Sequence, residues 1–199
     1  MKKVFAYVVF FVLFASLLGC GGGGGSGSSG GTERMKTVQV MPPTVDPNII
    51  DADVATWKDV NGNGKVCELE DTYTVNPTLV NVKIEVKTLP NLPSNLVASP
   101  VRVDSVEIIY TPSTSTTPAI PTQYRALGIV VNPDSSVTFD VDVVPQNIAT
   151  AFLDQLLCSD KIYTYYVQMK FKVIEINTGK EETVQTALTV KLSDFAEKQ

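Results

Sequence analysis

The stretch YTYYVQMKFKV at residues 163–173 decides the fold class, because its chemistry alternates residue by residue. Tyr163, Tyr165, Val167, Met169, Phe171 and Val173 fall on one side, and Gln168, Lys170 and Lys172 on the other. Period-two alternation without glycine or proline is the signature of a strand with one face buried and one in water. Downstream, Val184, Thr186, Leu188, Val190 and Leu192 alternate in the same way with Gln185, Thr189 and Lys191, and Asn177-Thr178-Gly179-Lys180 supplies a turn between the two runs. All twelve prolines lie between Pro42 and Pro145, so this last hairpin is uninterrupted and is predicted to be central. Upstream, Val80, Val82, Ile84 and Val86 oppose Asn81, Lys83, Glu85 and Lys87. Val137, Phe139, Val141 and Val143 oppose Thr138, Asp140 and Asp142. Residues 101–110 also read as a strand, but Val101 and Val103 share one parity while Val106, Ile108 and Tyr110 share the other. That slip predicts a β-bulge near Asp104-Ser105. Asn132-Pro133-Asp134 is read as a second hairpin turn.

Between residues 146 and 157 the period lengthens: Ile148, Phe152 and Leu156 recur at four-residue spacing, with Asn147 as the expected N-cap. This short helix crosses from one strand to the next and is expected to cover one end of the domain. About seven strands, regular turn signals and one crossing helix resemble an immunoglobulin-like antiparallel β-sandwich, and an all-β fold of that kind is the expectation. The likeness is one of architecture only, since Trp57 is not flanked by the Cys…Trp…Cys spacing of antibody domains. Tyr163 or Tyr165 is placed either as a corner tyrosine or as simple core. TPSTSTTPAIP, residues 111–121, reads as an exposed connection, with O-glycan attachment as the alternative.

The amino terminus reads as an address. Lys2 and Lys3 precede an apolar run over residues 4–18, which ends at Leu17-Leu18-Gly19-Cys20. A short basic region, an apolar stretch and a small residue make a secretory signal. The final four residues resemble the lipobox of bacterial lipoproteins. That resemblance implies cleavage before Cys20, a diacylglycerol on its thiol and an acylated amine, with a signal anchor carrying an incidental Cys as the alternative. The expected organisation is a signal peptide at 1–19, a lipidated Cys and Gly/Ser tether at 20–35, and a single domain at 36–199. The tether GGGGGSGSSGG reads as a flexible coil reaching roughly 15–20 Å. It accounts for the glycine count, since nine of the thirteen glycines lie between Gly19 and Gly31. Gly21 after the Cys is compatible with the outer membrane of a bacterial envelope.

Charge and composition narrow the chemistry. The chain carries −5, or −7 once Lys2 and Lys3 leave with the signal. No basic face for phosphate contacts is evident, so nucleic acid is not an expected partner. With no His in the sequence, Ser/His/Asp and Cys/His nucleophilic sites and the commonest zinc sites are ruled out. Asp140 with Asp142, and Glu181 with Glu182, read as solvated surface, and the protein is not expected to be an enzyme.

One segment carries specific chemistry. Residues 59–70, DVNGNGKVCELE, place Asp59, Asn61 and Asn63 at alternate positions, then Gly64 for a sharp turn and Glu70 at the twelfth position. This resembles the EF-hand and dockerin-type calcium loop. The resemblance implies Ca2+ held by Asp59, Asn61, Asn63, the Lys65 carbonyl and a bidentate Glu70. The segment departs from the pattern in lacking a long flanking helix, in placing Cys67 at the ninth position, and in using two neutral Asn ligands. Those departures imply weak, structural binding. Asp51, Asp53, Glu68 and Asp71 lie nearby as substitute ligands, and a pair of plain Asn-Gly turns is the alternative. With Cys20 lipidated in an oxidising envelope, Cys67 and Cys158 are expected to pair, two buried thiols being the alternative. The functional expectation is a lipid-anchored, non-catalytic envelope domain with a structural or protein-binding role. The alternative is a carbohydrate-binding or adhesive module with Tyr73, Tyr124 and Tyr166 as its aromatic candidates. The partners are thus the membrane through the anchor, and an envelope protein or glycan of unknown identity.

Overall fold

The alternation read from the sequence is realised as two face-to-face sheets in a computed structural model, which describes residues 35–195. The signal peptide, Cys20 and the tether lie outside the described residues.

The first sheet is built on β6 (Thr78–Thr88), flanked on one edge by β9 (Ser135–Val144). On its other edge β1 (Val38–Val40) and β2 (Thr44–Asp46) lie end to end, β1 opposite residues 86–88 and β2 opposite residues 81–83. They are one edge strand cut in two, because Pro42 and Pro43 have no N–H to give the ladder. The second sheet has the order β3 (Ile49–Asp53), β11 (Glu181–Ser193), β10 (Tyr163–Glu175), β7 (Val101–Pro112), β8 (Gln123–Val131). β10 is central, as the hairpin reading expects. The chain crosses between sheets at Asp46-Pro47 without reversing, so β3 lies parallel to β11; the other pairings are antiparallel. A small ribbon, β4 (Thr56–Lys58) with β5 (Thr72–Thr74), projects from the end of β3. Edge strand, β6 and β9 facing β3, β11, β10, β7 and β8 is an immunoglobulin-like all-β sandwich.

The inward phase of each strand fills the space between the sheets. Val80, Val82, Ile84 and Val86 meet Val167, Met169, Phe171 and Val173, all 0–1% exposed. Burial of each such side chain stabilises the fold by about 1.5–3 kcal/mol. Phe139 stands edge-on to Phe171 across the sheets, ring centres 6.1 Å apart. The bulge in β7 is present: Lys172 pairs with Ser105 and Val173 with Val103, so Asp104 is the extra residue and the inward parity changes after it.

Two local expectations need correcting. The helix, α1 (Gln146–Leu156), buries Ile148, Phe152 and Leu156, but its N-cap is Pro145 and not Asn147. Proline's fixed φ makes the entry there, which places Asn147 inside the first turn. The turn at 132–134 joins β8 to β9, which belong to different sheets, so it is a crossing between sheets and not a hairpin. Asp134 (φ 56°) fixes this corner, taking the Thr88 amide (2.9 Å) and hydroxyl (2.8 Å) on its carboxylate. Those bonds, the amide first, hold its carboxyl below the ordinary carboxylate range. Among the described residues no helix is long and apolar enough to cross a membrane.

The two ends of the sandwich differ. The described chain begins at Met35 at one pole, together with the 132–134 and 176–180 turns. The opposite pole gathers the β4–β5 ribbon, the connection after β7, and α1. The thirteen residues of β10 separate the poles by about 40 Å.

Candidate functional site

At the far pole, β4 and β5 pair Lys58 with Thr72 and so close the base of the loop that contains Asp59, Asn61, Asn63, Lys65 and Glu70. Inside it, Asp59 turns both carboxylate oxygens back onto the backbone, accepting the Gly62 and Gly64 amides at 2.7 Å each. Asn61 Oδ1 accepts the Asn63 amide at 3.0 Å, and Asn63 Oδ1 accepts the Lys65 amide at 2.8 Å. Gly62 and Gly64 have φ of 69° and 75°, which an L side chain adopts only with strain, so the tight winding depends on glycine at both places.

The sequence reading named Glu68 only as a substitute ligand; the structure gives it a contact within the loop. Its Oε2 accepts both the Asn61 and Asn63 side-chain amides, at 2.9 and 2.8 Å. Glu70, two residues later, is exposed and makes none of these contacts. Asp71 closes the loop from the other side, taking the Val60 amide (3.1 Å) and the Glu68 amide (3.0 Å). The carboxylates of Asp59 and Glu68 and the amide oxygens of Asn61 and Asn63 thus belong to one compact, exposed loop. All are hard oxygen donors with lone pairs beyond those the backbone uses, a set that suits a hard divalent cation. Asp59, Gly64 and Val66 also wall a cavity of about 110 Å³ shared with Asp53 and Trp57.

Cys67 and Cys158 are joined by a disulfide, their Cα atoms 5.7 Å apart, within the ordinary range. Both residues have positive φ, 71° and 54°. The bond ties the second half of the loop to the turn that follows α1. Asp194 sits beside it, 7% exposed. Its carboxylate accepts the Trp57 indole N–H (3.1 and 3.2 Å) and the Cys158 amide, and Cys67 Sγ lies 4.0 Å away. The Cys67 and Cys158 sulfurs and an Asp194 oxygen lie within 4.8 Å of one another, but both sulfurs are spent in the disulfide. The Trp57 ring packs on Tyr73 with centres 5.2 Å apart, so Tyr73 is part of this corner's own packing.

The other singled-out residues fall elsewhere. Tyr165 is core, its hydroxyl bonded to the Pro118 carbonyl at 2.8 Å, while Tyr163 reaches Gln155 of α1 at 3.1 Å. Burial raises the Tyr165 phenol above its ordinary range. The 111–121 connection is largely exposed, pinned through buried Thr117 and Ile120. Tyr166 and Tyr124 are 59% and 70% exposed on the outer face of the second sheet, and Tyr124 donates to Glu107 at 2.8 Å.

The opposite pole holds a carboxylate the sequence reading passed over. Glu175 is fully buried at the end of β10. One oxygen accepts the Thr37 amide (2.9 Å) and the Thr37 hydroxyl; the other accepts the Lys36 amide (2.8 Å) and the Thr178 hydroxyl (2.6 Å). Burial alone raises such a carboxyl, but the bonds from Thr178, Thr37 and Lys36 outweigh it and hold Glu175 below the ordinary range. Glu175 had a signal in the sequence, since it continues the inward phase of residues 163–173. No family model matches this chain, and neither does any curated protein or solved structure.

Proposed function

We propose that this chain is a lipid-anchored, non-catalytic domain of a bacterial cell envelope, with a structural or protein-binding role and a calcium-stabilised loop at its far pole. The observation that carries the reading is polarity: β1 enters the sandwich at one end, and the oxygen-rich loop, its disulfide and α1 occupy the other. In this reading the anchor on Cys20 joins the domain through the segment ahead of Met35, and the far pole carries the surface offered to a partner. In this reading Asp59, Asn61, Asn63 and the Lys65 carbonyl hold Ca2+. Glu68 or Glu70 supplies the closing carboxylate. The ion's role is to fix the loop's shape, neutralising carboxylates that otherwise repel one another. The disulfide fits an oxidising compartment.

The test is chemical and cellular together. Mass measurement of the protein extracted from envelopes should find fatty-acyl chains on Cys20 and no residues before it. Cys20→Ala should leave the membrane fraction. An unacylated Cys20 with an intact leader would refute the anchor. The second reading, a carbohydrate-binding or adhesive module, is favoured by the exposed Tyr124 and Tyr166. A glycan array distinguishes the two: binding that is lost in Tyr124→Ala or Tyr166→Ala selects the second reading, and silence selects a protein partner.

A further inference from the structure

The sequence contains two Asn-Gly steps, Asn61-Gly62 and Asn63-Gly64, and both lie in the loop at the far pole. Such steps are the most open to spontaneous deamidation, because glycine has no Cβ to keep its nitrogen from the preceding side chain. Both glycines are exposed, and a Cβ built on either meets nothing within 4 Å. Crowding therefore gives neither step any protection, yet the reacting atoms of both are held. Asp59 accepts the N–H of Gly62 and of Gly64, each at 2.7 Å. Glu68 Oε2 accepts the NH2 groups of Asn61 and Asn63, at 2.9 and 2.8 Å. One carboxylate thus covers both nucleophiles, and one oxygen of the other covers both leaving groups.

We propose that Asn61 and Asn63 are a coupled pair of deamidation sites, restrained by the two carboxylates they share, so that the first conversion releases the second. The reaction needs only water. The Gly62 nitrogen attacks Asn61 Cγ and gives up its proton. Nδ2 takes a proton and leaves as ammonia, and a five-membered succinimide closes. Water then opens the ring at one carbonyl or the other, giving aspartate or isoaspartate. The same steps join Gly64 to Asn63. No oxidation or reduction occurs: a side-chain amide and water become a carboxylate and ammonium.

The restraint has two parts. A nitrogen whose N–H points at a carboxylate holds its proton more tightly, since the anion left behind faces a like charge. The asparagine side chains are also fixed at both ends. Their NH2 groups are on Glu68, and their carbonyl oxygens accept the Asn63 and Lys65 amides, which keeps Cγ from swinging onto the glycine nitrogen. Conversion therefore waits for local opening of the loop. Once Asn61 is an acid it has no hydrogen to offer Glu68, and two anions meet. Glu68 withdraws, and Asn63 loses the same partner. An isoaspartate also lengthens the backbone inside the tight winding at Gly62 and Gly64, which loosens the hold of Asp59.

The test follows the intact mass of the full chain in detergent, in warm, mildly alkaline buffer with EGTA so that no cation takes part. Peptide mapping assigns each event to Asn61 or Asn63, and circular dichroism checks that every variant keeps its β spectrum. The first event should be at least about fivefold faster in Asp59→Ala and in Glu68→Ala than in wild type, because each change removes charge-assisted hydrogen bonds from both steps. Asn61→Asp copies the first conversion and should speed the reaction at Asn63 by a similar factor. A first rate that neither carboxylate variant changes overturns the restraint, and an Asn63 rate indifferent to Asn61→Asp overturns the coupling. No conversion at either residue in Asp59→Ala overturns the assignment of the sites. If the variants fail to fold, the wild-type mass series decides alone. Coupled sites give doubly converted chains with few singly converted ones beside them. Singly converted chains that reach half of the population or more, as independent sites require, overturn the proposal.

Discussion

Glu175→Gln should destabilise the domain by about 3 kcal/mol, although it changes one atom at a site far from the candidate loop. The magnitude follows from how the four donors divide. One carboxylate oxygen serves the Thr37 amide and hydroxyl, the other the Lys36 amide and the Thr178 hydroxyl. A glutamine offers one oxygen and one NH2, so either rotamer sets an NH2 group against a backbone N–H that cannot turn away. An unsatisfied buried amide costs about 1–3 kcal/mol, and the two surviving bonds fall from charge-assisted to neutral strength. With a urea slope of about 2 kcal/mol/M, the unfolding midpoint should drop by about 1.5 M. Trp57, the only tryptophan, reports from the opposite pole, so its fluorescence registers this change only if the sandwich unfolds as one unit. The penalty should also depend on pH. Because the folded carboxyl lies below its ordinary value of 4.5, its stabilisation is complete above that value. It is lost as pH falls through the folded pKa, so wild type and variant should converge in acid. A midpoint shift under 0.3 M at pH 7, or an unchanged penalty at pH 3, would refute the argument.

Three further outcomes are expected. Replacing Cys67 and Cys158 by Ser should cost about 2–5 kcal/mol by the loop-entropy account, read as a lower thermal midpoint matched by reduced wild type; identical midpoints would show the bond to be idle. Asp194→Ala removes the acceptor for the Trp57 indole and the Cys158 amide, and should cost about 2–4 kcal/mol and shift Trp57 emission; an unchanged spectrum would contradict the indole bond. At 10 mM calcium and a Kd of about 1 mM, ligand linkage gives roughly 1.4 kcal/mol, so the midpoint should rise by about 4 °C in wild type and not in Asp59→Ala. No rise in wild type would remove the cation from the loop's function.

The strands legible in the sequence are those buried on one face only. β6, β9, β10 and β11 alternate because each has water on one side and the partner sheet on the other, and even the slip at Asp104 was visible as a change of parity. β8 left no such trace: as an edge strand it is exposed on both faces for much of its length, so Tyr124, Arg125 and Ala126 follow no burial period. β1 and β2 were hidden for another reason, since a three-residue strand broken by Pro42-Pro43 is too short to show a period. The loop's turn-forming oxygens were legible because Asp59, Asn61 and Asn63 stand at alternate positions ahead of Gly64. Which glutamate reaches the Asn pair was not, because Cys67's positive φ turns the chain just before Glu68. Glu175 was legible in principle, as an acid occupying the apolar phase of its strand.

The position of Met35 also decides how the domain would bear a mechanical load. β1 and β2 run from the near pole toward the far one, along β6. A pull between Met35 and a partner at the far pole therefore acts along the strand axis and loads the β1–β6 ladder in shear, several hydrogen bonds at once, instead of peeling them singly. The Lys36 and Thr37 amides held by Glu175 lie first in line, ahead of the gap at Pro42-Pro43 where the ladder is weakest. Under the anchored reading proposed above, the buried carboxylate becomes a mooring point where force enters the fold.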